Sequence, residues 1–287
     1  MDEELRIKLA DHGSPEALAE CIVDHYPNIE IPVPVERIGE AVGITEIVGR
    51  LTESFEGVLL TDASKTAGSI AFNKASGIAR RRFTIAHEIG HFLLPSHGAG
   101  AQCAKADMGV LKSADPNRAS EAEANRFAAA LLMPKKLFVR DVRQLGAPET
   151  EHILRLAARY EVSKEACARR YADLSGHTCA VVFSRDGKVR SFYKNGSFPY
   201  LDVARDKPLP GNCISSRSRG EAGKMSEWSE IDAEVWIGSS RLRGKVLYEQ
   251  FFEQEDGYRL TMLTLDEADE DGEDDGGLED VARRFGR

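Results

Sequence analysis

Apolar residues recur at helical spacing in the first half of the chain and predict its main helices. Residues 14–26 form one such segment, with Ser14 placed to cap its N-terminus. Val35–Val42 form a second segment. A third covers residues 83–93 and ends before Pro95, because proline cannot continue a helix.

Shorter runs with strand character lie between these helices. Phe55–Thr61 and Ser69–Asn73 predict two strands, and Asp62–Gly68 predicts the turn that joins them. We expect Ser69–Asn73 to lie at an edge of the sheet, where an extended peptide can add by main-chain pairing.

A fourth helix is predicted between residues 115 and 134. Asp115 can cap it, Pro116 suits its first turn, and Pro134 ends it.

Residues 149–174 predict two helices with a short break at 161–163, a spacing typical of a helix-turn-helix. One interpretation is a DNA-reading unit, because the second helix carries Lys164, Arg169 and Arg170, which can contact phosphates. The other is a helical hairpin that braces the preceding domain, and we favour it.

The character of the chain changes after residue 176. Arg185–Gly187 gives a hairpin signal between two strand-like runs. Further strands are predicted at Ala233–Ile237, Lys245–Phe252 and Tyr258–Leu265. Residues 266–287 hold ten acidic residues against three arginines, and the run 266–277 has almost no apolar content, which predicts a disordered tail.

These patterns together predict an α+β protein built from four segments. They are a domain at residues 1–148, a helix-turn-helix-like segment at 149–176, a β-rich domain at 177–265 and the acidic tail at 266–287.

Composition excludes several classes of protein. The chain of 287 residues has no apolar run near the ~20 residues that cross a bilayer, and its acidic start does not resemble a signal peptide. The five cysteines are odd in number and scattered, which indicates reduced thiols and a cytoplasmic protein. Most of the net charge of −9 lies in the tail, and the near-neutral remainder argues against strong non-specific DNA binding.

The candidate chemistry lies in the third helix, at His87-Glu88-Ile89-Gly90-His91. Two histidines four residues apart share one helix face and can bind one metal ion, and Glu88 between them can act as a general base toward a metal-activated water. The alternative is a buried helix with two hydrogen-bonded histidines, which has no use for the glutamate.

A catalytic zinc ion usually takes three protein ligands, so a third is expected on another element. The helix at 115–134 offers Glu121 and Glu123. At about 100° per residue, Glu121 lies roughly 40° from the centre of the apolar stripe and Glu123 roughly 120° from it. We therefore predict Glu121 as the ligand and Glu123 on a solvated face, with a buried salt bridge from Glu121 to Arg118 as the alternative.

Three nearby residues have two interpretations each. Asn125 can support the site by hydrogen-bonding a ligating histidine or holding Glu121 in place, and the alternative is helix-to-loop packing. His97 and Cys103 lie on the long loop at 96–114, and either can approach the metal as an inhibitory fourth ligand. We favour an exposed loop histidine and an unreactive thiol.

The segment Arg82–His91, the run Glu121–Asn125 and the following Phe127–Pro134 resemble the ImmA/IrrE metallopeptidases, and Ile31–Ile44 resembles the short helix that opens their domain. The resemblance implies a zincin-like, gluzincin-like peptidase domain. It assigns the metal ligands to His87, His91 and Glu121, and the general base to Glu88.

The resemblance also implies a substrate. Family members cleave helix-turn-helix, XRE-like repressors and thereby switch on stress-response or mobile-element genes. By position, residues 177–265 are similar to the GAF-like sensor module of IrrE.

The favoured hypothesis is therefore a zinc-dependent metalloendopeptidase that cuts such a repressor. Mn²⁺ or Fe²⁺ can occupy the same ligands. The alternatives are a non-catalytic regulator and an antitoxin-type protein that neutralises its partner by binding it.

Overall fold

The computed structural model describes residues 2–52, 54–98, 101–103, 118–238 and 246–265. Helices and strands are mixed, so the chain is an α+β protein. It forms two compact units. Within the described residues, the first unit comprises Met1–Phe138 and Ala157–Ala166, and the second comprises Val139–Leu156 and Cys167–Arg287.

Ten helices are found in the described residues. They are α1 (Glu3–Ala10), α2 (Pro15–His25), α3 (Val35–Val42), α4 (Ile78–Leu93), α5 (Arg118–Leu132), α6 (Lys135–Arg143), α7 (Thr150–Tyr160), α8 (Lys164–Leu174), α9 (Ile214–Arg217) and α10 (Glu234–Ile237). Of these helices, none is long and apolar enough to cross a membrane.

Helix boundaries follow the local signals in the sequence. The Ser14 hydroxyl accepts from the Ala17 amide at 3.3 Å and caps α2, as predicted. The helix α3 has the predicted bounds, and α4 stops two residues before Pro95. The predicted start of α5 at Asp115 lies outside the described residues.

The strands of the first unit form one sheet with the order β1-β3-β2-β4. Its strands are β1 (Ile44–Arg50), β2 (Gly57–Thr61), β3 (Gly68–Asn73) and β4 (Ala101–Cys103). The predicted edge position of Ser69–Asn73 is wrong, because β3 pairs with β1 on one side and with β2 on the other. The sequence of β1, ITEIVGR, alternates too weakly to predict this neighbour.

The helix α4 lies in the core of the first unit. It contacts β2 and β3 of the sheet as well as α3 and α5. Every residue from Thr84 to Phe92 is buried. A helix on the protein surface would instead expose about half of its residues to solvent. The polar side chains of this segment are therefore held inside the protein.

The helices α7 and α8 confirm the predicted pair and its break at 161–163. Glu161 has φ +49°, and the Ser163 hydroxyl accepts from the Ala166 amide at 3.1 Å to cap α8. That this pair is a helix-turn-helix stays a prediction, as do the four segment boundaries.

The second unit contains an antiparallel sheet with the order β6-β5-β9-β8-β7. Its strands are β5 (Cys179–Arg185), β6 (Lys188–Lys194), β7 (Ser229–Asp232), β8 (Val246–Glu253) and β9 (Tyr258–Leu265). The predicted hairpin is confirmed, since Asp186 and Gly187 both adopt positive φ, at 49° and 72°.

The predicted strand at Ala233–Ile237 is wrong, because this stretch contains the helical turn α10 and the strand β7 ends just before it. Trp236 and Ile237 are adjacent and both buried, which a strand with one covered face does not allow. A run of four residues is too short for its apolar spacing to distinguish the two periods.

A buried carboxylate organises the core of the second unit. Glu249 is fully buried on β8. Its oxygens accept from the amides of Ile214 and Ser215 at 3.1 and 2.6 Å, and from the indole N–H of Trp236 at 2.9 Å. Glu249 thus holds α9 and α10 to the sheet. Without its oxygens, these three donors would lose their hydrogen-bond acceptor inside the protein.

We expect Glu249→Ala to destabilise the second unit by about 3 kcal/mol or more, because each buried donor left unsatisfied costs roughly 1–3 kcal/mol. Urea unfolding followed by tryptophan fluorescence measures the change. Glu255→Ala is the control, since Glu255 is exposed and should change the free energy of unfolding by less than about 0.5 kcal/mol. Equal effects of the two substitutions would contradict the role of Glu249.

Candidate metal centre

The two motif histidines project from the same side of α4. His87 and His91 are one turn apart and exposed by at most 3%. Their Nε2 atoms are 3.0 Å from each other. Two ring nitrogens therefore face a common point inside the first unit.

Glu121 on α5 completes this arrangement. Its Oε2 lies 3.2 Å from His87 Nε2, and its Oε1 lies 3.3 Å from His91 Nε2. The residue is 7% exposed, which confirms the predicted inward orientation of Glu121 on its helix. Among the described residues, these three form a group whose ligand atoms all lie within 4.8 Å of one another.

The three donors fit a single divalent ion. Ligands at about 2.05 Å from a tetrahedral zinc ion are roughly 3.3 Å apart, and the spacings here are 3.0, 3.2 and 3.3 Å. Two imidazoles and one carboxylate are also a common donor set of catalytic zinc sites that keep one position for water.

The charges suit metal binding as well. Burial alone would raise the pKa of Glu121, but the contacts of its carboxylate with the two histidine rings outweigh burial and lower the pKa to about 2. Burial lowers the pKa of His87. Glu121 is thus an anion and His87 is neutral near pH 7, which are the forms that bind a metal.

Close packing of α4 on α5 sets the distance between the histidines and Glu121. A Cβ atom on Gly90 would lie 3.0 Å from Phe127 Cδ1 and 3.3 Å from Ala124 Cα. Gly90 precedes His91, and Ala124 lies one turn after Glu121. The absent side chain at position 90 therefore lets the ligand-bearing turns of the two helices meet.

Glu88 lies on α4 beside the first residue of β2. The residue is fully buried. A Cβ atom on Gly57 would overlap the Glu88 carboxylate and would lie 2.6 Å from Thr84 Cγ2. Because Gly57 has no side chain, β2 can pass directly over the Glu88 carboxylate, which therefore lies between α4 and the sheet.

Asn125 contacts the outer nitrogen of His87, with 3.0 Å between its Oδ1 and His87 Nδ1. An amide oxygen can only accept, so the proton of the neutral ring lies on Nδ1. The Nε2 lone pair then points toward Glu121 and His91. Asn125 thus contacts His87, and its supporting role stays a prediction.

His97 was predicted to be an exposed loop histidine, and this is wrong. It is 6% exposed, and its Nδ1 lies 2.9 Å from Nδ1 of His91. This contact is on the side of the His91 ring opposite to the donor group, so it gives no support to His97 as a fourth ligand. The side chain of Cys103 lies outside the described residues.

Glu123 was predicted on a solvated face, and it is in fact hydrogen-bonded. One carboxylate oxygen accepts from His97 Nε2 at 3.1 Å and from the Ser96 hydroxyl at 3.1 Å. The hydrogen bond from His97 is the largest cause of a lowered pKa for Glu123. Helical phase correctly predicts that Glu123 lies outside the core. It cannot predict the neighbouring loop that covers Glu123.

We expect Gly90→Val to separate α4 from α5 and to weaken metal binding together with stability. An inserted branched side chain costs about 1–3 kcal/mol in a packed contact. Urea unfolding and zinc titration measure the two effects. Arg80→Val introduces the same side chain at an exposed position of the same helix and should leave zinc affinity unchanged. Wild-type affinity in Gly90→Val would contradict the spacing argument.

Comparison with known proteins identifies a domain in this part of the chain. Residues 52–171 match the family model of the IrrE N-terminal-like domain, peptidase family M78. The matched range includes both motif histidines, Glu88, Glu121 and Asn125. No curated protein matches the chain.

A solved structure shares the fold. It is a Mycobacterium tuberculosis transcriptional regulator, 14% identical, with a TM-score of 0.56 over 92% of this chain and 81% of the regulator chain. The family match, on the segment that holds the donor group, confirms the resemblance to the ImmA/IrrE metallopeptidases: the chain carries an IrrE N-terminal-like domain of peptidase family M78.

Proposed function

We propose that this protein is a zinc-dependent metalloendopeptidase that cuts a helix-turn-helix repressor at one site. The observation that carries the proposal is the triangle of His87 Nε2, His91 Nε2 and the Glu121 carboxylate, buried on two packed helices of an M78 domain. We assign these three residues as the metal ligands and Glu88 as the general base.

A bound zinc ion would supply two effects, a lower pKa for a water molecule and polarisation of the scissile carbonyl. The chain itself supplies the proton transfers. A carboxylate oxygen of Glu88 accepts the proton of the attacking water and then delivers it to the leaving amine nitrogen. Burial keeps Glu88 and the ligands away from bulk water, which strengthens their electrostatic effect on the reacting groups.

The substrate class rests on the family resemblance. Repressors of the helix-turn-helix, XRE-like type are the substrates that the ImmA/IrrE resemblance implies, and cleavage would release stress-response or mobile-element genes. A cytoplasmic location follows from such a substrate and agrees with the scattered reduced cysteines. The GAF-like character of residues 177–265 is part of the same proposal and would give the second unit a sensing role.

We expect Glu88→Gln to retain zinc and to lose cleavage by at least about a hundredfold, because it removes the proton acceptor and leaves the three ligands in place. The assay incubates wild type and variant with a purified helix-turn-helix, XRE-like repressor. Glu40→Gln, an exposed change on α3, is the matched control.

The outcomes of this assay separate the proposals. One discrete cut that a chelator abolishes, seen with wild type and Glu40→Gln only, supports the peptidase. Undiminished cleavage by Glu88→Gln would exclude Glu88 as the base. A stable complex with an uncut partner would instead favour the antitoxin-type binding protein.

We expect Glu121→Ala to weaken zinc binding by roughly a hundredfold or more, since even outer partners of ligating histidines contribute ten- to a hundredfold. Competition with a chromophoric chelator measures the dissociation constant. Glu20→Ala removes an exposed carboxylate on α2 and should bind zinc as wild type does. Unchanged affinity in Glu121→Ala would remove it from the ligand set.

A further inference from the structure

The chain folds back on itself directly after α4. Leu94 is extended, as expected for a residue before proline, and its carbonyl accepts from the His97 amide at 3.2 Å. The ammonium group of Lys65 donates to the carbonyls of His91 and Leu94 at 2.7 and 2.9 Å. This turn places the ring of His97 against α4.

The returned ring lies between a motif histidine and a carboxylate. His97 Nδ1 is 2.9 Å from His91 Nδ1, and His97 Nε2 is 3.1 Å from Glu123 Oε2. The rings of His91 and His97 are 4.7 Å apart between centroids. Three side chains therefore form a continuous hydrogen-bonded row from the donor group to the rim of the first unit, where Glu123 is one-third exposed.

The direction of each hydrogen bond in the row follows from the carboxylate at its outer end. The carboxylate of Glu123 can only accept, so His97 Nε2 carries a proton and donates it. Nδ1 of the neutral His97 ring is then an acceptor, and it requires a proton on Nδ1 of His91. The lone pair of His91 Nε2 is left facing His87 and Glu121.

We propose that His97 and Glu123 are positioning residues that fix the ring orientation and tautomer of His91 for metal binding. The proposal rests on the metal site of the proposed function. It assigns a role to two residues that neither the motif nor the matched family name identifies.

In this arrangement, α5 supports His87 and His91 in different ways. His87 is held by the amide of Asn125, and His91 is held by Glu123 through His97. Because Glu121, Glu123 and Asn125 all lie on α5, that helix supplies a ligand and both outer supports.

The test is a zinc titration of the full chain with four variants. His97→Phe keeps an aromatic ring but offers no acceptor to His91, and Glu123→Ala removes the acceptor for His97. We expect each to raise the zinc dissociation constant by about ten- to a hundredfold. Glu123→Gln keeps an acceptor oxygen and should stay within about threefold of wild type. Glu20→Ala, an exposed change on α2, should stay within about twofold.

A second measurement reads the tautomer itself. Long-range ¹H–¹⁵N spectra of the zinc-loaded protein show which ring nitrogen of each histidine carries a proton. We expect a proton on Nδ1 of His91 and on Nε2 of His97 in wild type and in Glu123→Gln, and loss of the His97 pattern in Glu123→Ala. Circular dichroism of the metal-free variants establishes that they fold.

Wild-type affinity in folded His97→Phe would overturn the proposal, because packing alone would then explain His97. Equal weakening by Glu123→Gln and Glu123→Ala would also overturn it, since the acceptor would not matter. If wild type itself binds no zinc, the proposed function is wrong, and His97 and Glu123 then have no metal ligand to position. Zinc binding that is strong in all variants would reject the row alone.

Discussion

The close contact of α4 and α5 at Gly90 is the constraint on which the candidate site depends. Without a side chain at this position, Phe127 and the backbone of Ala124 approach the motif helix directly. That approach brings a carboxylate from one helix within 3.3 Å of imidazole nitrogens from the other. The sheet contributes a comparable contact on the motif helix, where Gly57 passes over Glu88. Two glycines in different elements thus determine where the polar groups of the site can lie.

Burial makes those polar groups effective and also restricts them. An imidazole or carboxylate inside a protein loses its hydration and needs partners with definite geometry. In the described residues, the outer nitrogens of both motif histidines have such partners, Asn125 for His87 and His97 for His91. The same principle holds in the second unit, where the buried Glu249 is matched by two amides and an indole. In both units, a buried acid or base is placed by partners on other elements of the fold.

Features that depend on one segment could be predicted from the sequence, and features that depend on several could not. The N-terminal cap of α2, the end of α4 and the inward phase of Glu121 are properties of single helices, and all three were predicted correctly. The central position of β3 depends on β1, whose ITEIVGR sequence has little alternation. The burial of His97 depends on a turn closed by Lys65 from another loop, and the partner of Glu123 follows from that turn. A helical period contains no information about a neighbouring loop.

The donor triangle is shared between two helices, and this has a consequence for the lifetime of the protein. Any ion that binds there joins α4 to α5 and is absent from the unfolded chain, so it stabilises the folded first unit by mass action. At a free concentration a thousand times the dissociation constant, the gain is about 4 kcal/mol, a large part of the stability of a typical domain. The abundance of the folded protein would then follow the supply of metal in its surroundings. The same three side chains would act as a catalytic centre and as a conditional cross-link.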